Sequence, residues 1–251
     1  MIFDDGRLLE LEYLPQTVLK WSCTQAPLNH PDALPFLEAV KAEWKPDLVV
    51  CMGDEADLTF LKKAFMSADG PGPVAELEQV RAFMAETARI FPQMLLLTSN
   101  HVHSRIKFAQ AQGNIPTMML RSWRDVVSAP PGWEWRDFII ARDHLWEHGN
   151  DISKGSRGSI VEETIKRFGR PLCISRGHQH SEHGLHVKPV WITPTRQIWL
   201  AYVGALMDPK RVSYTRAPCV TGCAITYRGT HIPIPMEKNR HGRWTGSLPS
   251  W

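Results

Sequence analysis

The sequence lacks any long hydrophobic run. It contains no uninterrupted apolar stretch of about 18 residues, the length that a membrane-spanning helix requires. Its first residues include Asp4 and Asp5, whereas a secretory signal begins with basic residues and continues into an apolar segment. We therefore expect a soluble, cytoplasmic protein that does not associate with a membrane.

The chain also lacks a disulfide framework. An odd number of cysteines without paired spacing is typical of reduced, intracellular thiols. Cys219 and Cys223 have no second matching pair, so they do not indicate a zinc-binding motif. The five cysteines are Cys23, Cys51, Cys173, Cys219 and Cys223.

Net charge is small, at +3, but it is unevenly distributed. Residues 211–251 contain six Lys and Arg against the single acid Glu237. This basic end, with Trp244 and Trp251, makes nucleic acid a candidate partner, although a solvated tail is the commoner interpretation of such a composition. We predict a main domain over residues 1–236 and a basic, flexible tail over residues 237–251.

The pattern of apolar residues predicts an α/β fold. Short buried strands that end in polar residues alternate with segments whose apolar spacing is helical, such as 30–44 and 72–91. After residue 186 the sequence becomes alternating and β-rich, which favours a second, mostly antiparallel sheet. The predicted strands of the first part are TVLKWSC, PDLVVCMGD, QMLLLTSNH, DFIIARDH and RPLCISRGH.

Polar side chains follow these strands directly. Since residues beyond the carboxyl ends of strands in an α/β sheet converge in one crevice, we expect them to form a single site. Carboxylate, amide oxygen and imidazole together suit divalent zinc, manganese or iron, and one shared Asp can bridge two such ions. The residues in question are Cys23, Gln25, Gly53, Asp54, Asn100, His101, His148, Gly149, His178 and His180.

The ordered blocks GDEAD, SNH, HG and GHQH resemble those of the calcineurin-like metallophosphoesterase superfamily. The resemblance implies a four-layer α/β/β/α sandwich of two mixed sheets, with two divalent metal ions at the strand ends. It implies that Asp54 bridges the ions, that Asn100, His148 and His178 complete one metal site, and that His180 belongs to the other. His101 would protonate the leaving oxygen or stabilise the phosphoryl charge.

Two departures from this family pattern occur. Ser99 replaces the Gly of Gly-Asn-His, which removes no ligand. In the first block, Cys23 and Gln25 replace Asp and His. The segment resembles a branch with Asp-x-Gln, found in small bacteriophage and bacterial members, in which Gln is an oxygen ligand. For a phage-encoded protein the compartment would be the host cytoplasm. Cys23 is then the unexpected residue, and the first metal site is either thiolate-bound or weak.

The resemblance implies hydrolysis of a phosphomonoester or phosphodiester by metal-activated water. Arg105 follows His101 by four residues and is a candidate for contact with a phosphate oxygen, with a surface ion pair as the alternative. Two further functions stay open. One is a nuclease acting on DNA or RNA, and the other is a degenerate, metal-poor member that serves as a binding subunit. His144, His183 and His186 have no counterpart in the family pattern, and we expect them to face solvent or to support the ligands.

Overall fold

The computed structural model describes residues 8–61, 72–113, 121–149, 160–194, 196–212 and 218–247. Its strands are β1 (Leu8–Leu11), β2 (Thr17–Trp21), β3 (Leu48–Cys51), β4 (Met94–Leu97), β5 (Trp133–Arg136), β6 (Phe138–Ala141), β7 (His144–Glu147), β8 (Cys173–Arg176), β9 (His183–Thr193), β10 (Arg196–Val203), β11 (Gly222–Tyr227) and β12 (Thr230–Pro235). Its helices are α1 (Ala33–Trp44), α2 (Pro73–Ile90), α3 (Arg105–Ala111), α4 (Trp123–Val126) and α5 (Ile160–Phe168).

The strands form two mixed sheets of six strands each. Sheet I has the order β12-β11-β2-β3-β4-β5; β2 to β5 run parallel in it, while β11 pairs antiparallel with both β2 and β12. Sheet II has the order β1-β6-β7-β8-β10-β9 and combines parallel with antiparallel pairs. The predicted α/β fold with two mixed sheets is confirmed.

One expectation about the sheets is wrong. The strands after residue 186 do not form a separate antiparallel sheet, because β11 and β12 extend sheet I while β9 and β10 complete sheet II. An alternating sequence specifies which face of a strand is buried, but it does not specify the neighbouring strand. The short strands β1, β5 and β7 were also not predicted.

Three apolar layers hold the fold together. Val18 of β2 packs with Ile139 of β6 in the layer between the two sheets. Leu19, on the opposite face of β2, packs with Phe36 of α1 in the layer outside sheet I. Ile174 of β8 belongs to the layer outside sheet II, where α5 contributes Phe168. This succession of layers is the α/β/β/α sandwich, and it brings strand ends from both sheets to one edge.

The helices predicted over 30–44 and 72–91 are confirmed as α1 and α2. Helix α1 ends at Trp44, and the capping residue that follows, Lys45, has a left-handed φ of 44° and precedes Pro46. Pro73 occupies the first turn of α2, where its missing N–H costs no hydrogen bond. Among the described residues, no helix is both long and apolar enough to cross a membrane.

The first part of the basic end lies against α1. Trp244 packs edge-on to Phe36, the Trp44 indole N–H donates to Gly246 O at 2.8 Å, and Lys238 lies 3.6 Å from Asp32. Arg216 and residues 248–251 lie outside the described residues. The domain boundary at residue 236 and the flexibility of the tail stay predictions.

Candidate metal centre

The polar residues predicted from strand ends come together between the two sheets. Cys23 and Gln25 follow β2, Asp54 follows β3, and Asn100 and His101 follow β4, all in sheet I. His148 follows β7, while His178 and His180 follow β8 in sheet II. Five of these side chains are buried, namely those of Cys23, Gln25, Asp54, His101 and His148.

Hydrogen bonds between the loops after β2 and β3 fix the first part of the site. Cys23 N donates to Gly53 O at 3.0 Å, and Gln25 N donates to Asp54 O at 2.8 Å. Cys23, Gln25 and Asp54 all have left-handed φ angles, of 52°, 48° and 55°. A left-handed φ angle is unfavourable for residues other than glycine. Three such residues in two neighbouring loops therefore indicate a functional site. Gly53 is required because a Cβ atom there would lie 2.8 Å from His148 Nδ1.

The segment after β4 is a short π-helical turn over Asn100–Ser104. Such turns insert an extra residue into a helix and occur frequently at functional sites. Here the turn directs the backbone N–H of His101 to Asp54 Oδ1, at 3.1 Å. The carboxylate of Asp54 is thereby held by the chain that follows the neighbouring strand.

His148 connects Asp54 with Asn100. Its Nε2 atom lies 3.1 Å from Asp54 Oδ2 and 3.0 Å from Asn100 Oδ1. Its Nδ1 atom lies 2.7 Å from Met52 O, a carbonyl that can only accept, so Nδ1 carries a proton. In a neutral imidazole, the Nε2 lone pair then faces two oxygen atoms.

This arrangement of acceptors fits a cation. Burial alone would lower the pKa of His148, but the adjacent Asp54 outweighs it and raises that pKa. Burial likewise acts to raise the pKa of Asp54, but His148 and His101 hold it well below its usual range. The pocket thus requires positive charge between its oxygen atoms, supplied either by an imidazolium proton or by a metal ion.

His178 completes what we call the Asp54 half of the site, namely Asp54, Asn100, His148 and His178. The rings of His178 and His148 have centroids 5.1 Å apart. His178 Nδ1 is buried and has no hydrogen-bond partner among the described residues. Burial lowers the pKa of His178 to about 4, so its neutral ring offers a lone pair for coordination.

Three other residues, Cys23, Gln25 and His180, form the Cys23 half. Gln25 Nε2 lies 3.3 Å from His180 Nε2, while Cys23 Sγ lies 4.0 Å from Asp54 Oδ2. Burial and then the charge of Asp54 raise the pKa of the Cys23 thiol well above its usual range. Burial lowers the pKa of His180 to about 4. The thiol is therefore protonated, and it contacts Ser22 Oγ at 2.9 Å.

Cys23, Asp54 and His148 each offer a ligand atom, and these atoms all lie within 4.8 Å of one another. This group joins the two halves, because Cys23 belongs to one and His148 to the other.

Asp57 is a site residue that the sequence analysis did not assign. Its Oδ1 atom lies 2.6 Å from His101 Nδ1, at the final Asp of GDEAD. Burial acts to raise the pKa of Asp57, but His101 and Arg105 outweigh it and lower that pKa. The signal was present in the sequence, since Asp57 is the last residue of the GDEAD block. The Asp57 carboxylate fixes the ring of His101, which turns its Nε2 atom away from this bond.

Arg105 does not form the surface ion pair that was the alternative prediction. Its side chain is 11% exposed, and Nη1 lies 3.6 Å from Asp57 Oδ2 and also contacts Asp57 O. Its Nη2 atom is 3.5 Å from His101 Nε2. The guanidinium therefore lies beside the imidazole, and its contact with a phosphate oxygen stays a prediction.

Two of the other histidines have structural contacts instead of facing solvent. The His144 ring lies between Asp143 Oδ1, at 2.9 Å, and Gly229 O, at 3.1 Å. His183 Nε2 lies 2.8 Å from Cys223 O. The side chain of His186 lies outside the described part of the chain.

Comparison with known proteins gave limited similarity. No protein-family model matches the chain, and no curated protein matches it either. Among solved structures, it is similar to YfcE, a phosphoesterase from E. coli, with 10% identity and a TM-score of 0.40 over 84% of this chain and 87% of that one.

Proposed function

We propose that this protein is a divalent-metal-dependent phosphoesterase that hydrolyses a phosphomonoester or phosphodiester. The observation that carries the proposal is the position of His148 Nε2, which faces both Asp54 Oδ2 and Asn100 Oδ1 at about hydrogen-bond distance, at 3.1 and 3.0 Å. Three acceptor groups that converge in a buried pocket are costly without a cation. A scaffold protein would have no use for them.

The residues present would hold two ions, with manganese, zinc or iron as candidates. The Asp54 half would hold one ion through carboxylate, amide and imidazole groups. Gln25 and His180 would hold the other together with the shared Asp54, and Cys23 would be either an additional thiolate ligand or a small buried residue. The ions, when bound, lower the pKa of water toward 7 and neutralise the phosphate oxygens.

The residues around His101 would assist departure of the alcohol. His101 lies on the π-helical turn, its Nδ1 bonded to Asp57 and its Nε2 near Arg105. A histidine whose Nδ1–H is donated to a carboxylate can be protonated at Nε2 and give that proton to a leaving oxygen. Arg105 lies close enough to His101 to share in stabilising negative charge at that oxygen.

A second candidate function follows from the protonated thiol of Cys23. With the thiol 4.0 Å from Asp54 Oδ2, the Cys23 half offers fewer negative charges than the first block of the family pattern. A degenerate protein that holds one ion and binds its ligand without hydrolysing it would have this arrangement. The nuclease hypothesis differs only in how substrate is held and stays a prediction.

Metal analysis followed by activity assays separates these candidates. Protein purified without chelator is analysed for metal, and hydrolysis of an aryl phosphate and an aryl phosphodiester is measured with manganese, zinc or iron. Asp54→Asn should abolish both metal binding and activity, because it removes the carboxylate that both ions share. Asp47→Asn, an exposed Asp to Asn change remote from the site, is the matched control. Full activity of Asp54→Asn would contradict the proposal.

A further inference from the structure

Lys20 is fully buried between the two sheets. It lies on β2 two residues after Val18, and so on the same face, which packs against sheet II. Its Nζ atom donates to Ser175 Oγ on β8 at 2.6 Å and lies 3.4 Å from His231 Nδ1. These partners, among the described residues, are a hydroxyl and an imidazole, and neither balances a positive charge.

Burial of a lysine in this position is energetically unfavourable. Burying an ammonium group without a carboxylate is strongly unfavourable, and the group responds by giving up its proton. Burial lowers the pKa of Lys20 to about 7. A methionine would fill the same space without this cost, so packing alone does not account for a lysine here.

The strands that Lys20 connects both lead into the metal centre. Lys20 precedes Cys23 by three residues, and Ser175 precedes His178 by three residues, so the hydrogen bond lies about 10 Å from each of these two residues along its strand. The two loops contact each other at two points. A Cβ atom on Gly177 would clash with Ser22 Oγ, and Gln25 Nε2 lies 3.3 Å from His180 Nε2.

We infer that Lys20 is a positioning residue whose hydrogen bond to Ser175 sets the distance between the loop after β2 and the loop after β8, and thereby the metal affinity of the Cys23 half. This inference rests on the proposed function. The Asp54 half depends less on this bond, since of its four members only His178 lies in either loop, whereas all three members of the Cys23 half do. His148 is fixed by Met52 O, and Asp54 by the His101 backbone. The effect of Lys20 is therefore selective for one ion.

A purely structural role for Lys20 predicts a different result. In that case Lys20→Met would change stability alone, and metal affinity would follow stability. In the positioning role, Lys20→Met removes a buried amine and leaves stability equal or higher at pH 7.5, yet it weakens one metal site. Val18→Ala, on the same strand and face, is the matched control, because it opens a cavity and lowers stability without removing the bond.

The experiment titrates manganese(II) into the metal-free forms of wild type, Lys20→Met and Val18→Ala at pH 7.5. Free ion is followed by electron paramagnetic resonance, and urea unfolding is measured on the same samples. We expect Lys20→Met to weaken manganese binding by the Cys23 half, the weaker of the two sites, about tenfold or more, which is the scale for residues that orient ligands. The affinity of the Asp54 half should stay within about threefold of the wild-type value. Val18→Ala should lose stability and keep both affinities.

Equal affinities in wild type and Lys20→Met, or equal weakening of both sites, would overturn the inference. If wild type binds fewer than two ions, the proposed two-ion centre fails, and hydrogen exchange of the metal-free proteins decides the role of Lys20 separately. Lys20→Met should then speed exchange in residues 22–26 and 177–182 beyond the rate in Val18→Ala. Unchanged exchange in both loops would also overturn it.

Discussion

The two halves of the candidate metal centre are built differently. In the Asp54 half, His148 has a partner for each ring nitrogen, at distances between 2.7 and 3.1 Å, and the Asp54 carboxylate is held by a backbone N–H. In the Cys23 half, the corresponding distances are 3.3 Å between Gln25 and His180 and 4.0 Å between Cys23 and Asp54. One half is preorganised without any ion, and the other is not.

The two halves also differ in charge, and the better preorganised half carries the negative charge. The Asp54 carboxylate is ionised, because His148 and His101 hold its pKa well below the usual range. The thiol of Cys23 is neutral, because burial raises its pKa. Both ions would share the Asp54 carboxylate, but the ion in the Cys23 half would gain no further negative charge from the neutral thiol, and its ligands are less well fixed. We therefore expect the two ions to differ in affinity, with the tighter one in the Asp54 half.

The largest expected effect comes from breaking the preorganised half. His148→Ala leaves Asp54 Oδ2 and Asn100 Oδ1 without the ring that joins them, so the tighter ion should be lost and activity should fall on the order of 1,000-fold. His180→Ala should remove only the weaker ion. Metal content and hydrolysis of an aryl phosphate are measured for both variants. Equal loss of metal in the two would show that the halves do not differ.

A smaller effect is expected at His101, which contacts the Asp54 half without belonging to it. His101→Ala should retain the metal content of wild type and lose about 100-fold in rate, the scale for a positioned proton donor. Asp57→Asn should lose less, because the imidazole remains but its orientation is weakened. The loss should shrink for an aryl ester whose leaving group is already a weak base. An equal loss for aryl and alkyl esters would contradict a proton-donor role.

The convergence of polar strand ends was predictable from the sequence, whereas the neighbours of some strands were not. Asp54, Asn100 and His148 follow short apolar strands, and the convergence of such ends is a general property of α/β sheets. The partners of β11 and β12 were not predictable, since cross-sheet packing decides them. Lys20 was also missed, because a single lysine in TVLKWSC is indistinguishable from one that faces solvent.

The two loops of the Cys23 half acquire their geometry only in three dimensions. The left-handed φ angles of Cys23 and Gln25 come from hydrogen bonds to the loop after β3, about 30 residues away along the chain. The contact between Gln25 and His180 joins residues from different sheets. Local sequence does not contain this information. The residues of the Asp54 half, in contrast, lie in the GDEAD, SNH, HG and GHQH blocks, which are visible in the sequence.

An intermediate effect is expected for Lys20, the residue that we propose positions the Cys23 half. The pH dependence of the free energy of unfolding tests it. The pKa of Lys20 is about 7 in the folded protein, below its unfolded value of about 10.4. Between these values the unfolded chain binds the extra proton, so the free energy of unfolding rises with pH, by up to about 1.4 kcal/mol per pH unit. Below pH 7 this contribution is flat, and the full cost of burying the amine is present.

Urea unfolding of wild type and Lys20→Met at pH 7, 8 and 9 measures this slope. In the unfolded chain the cysteine thiols titrate near the upper end of this range, but this contribution is common to both proteins and cancels in the difference. The difference in unfolding free energy should favour Lys20→Met most at pH 7 and shrink as pH rises. Parallel pH profiles would show that Lys20 keeps its proton when buried, which would require a negatively charged partner.

The smallest effects are expected for substitutions of Cys23. They test whether the Cys23 half binds its ion weakly because a neutral thiol replaces a carboxylate. If the neutral thiol fills the place of a missing carboxylate, Cys23→Asp should raise the affinity for the weaker ion about tenfold and increase activity with manganese, because a carboxylate is the harder ligand. Cys23→Ser should change either quantity by less than about twofold, since one uncharged hydroxyl replaces one uncharged thiol.

If Cys23 instead loses its proton on binding zinc, Cys23→Ser should be severely impaired, and thiol oxidation should inactivate wild type. Titration of zinc and manganese into the metal-free forms of wild type and both variants distinguishes these outcomes. The long contact to Asp54 and the raised pKa of the thiol favour the first. Equal zinc affinity in all three proteins would exclude Cys23 from coordination, and the weaker ion would then depend on Gln25, His180 and Asp54 alone.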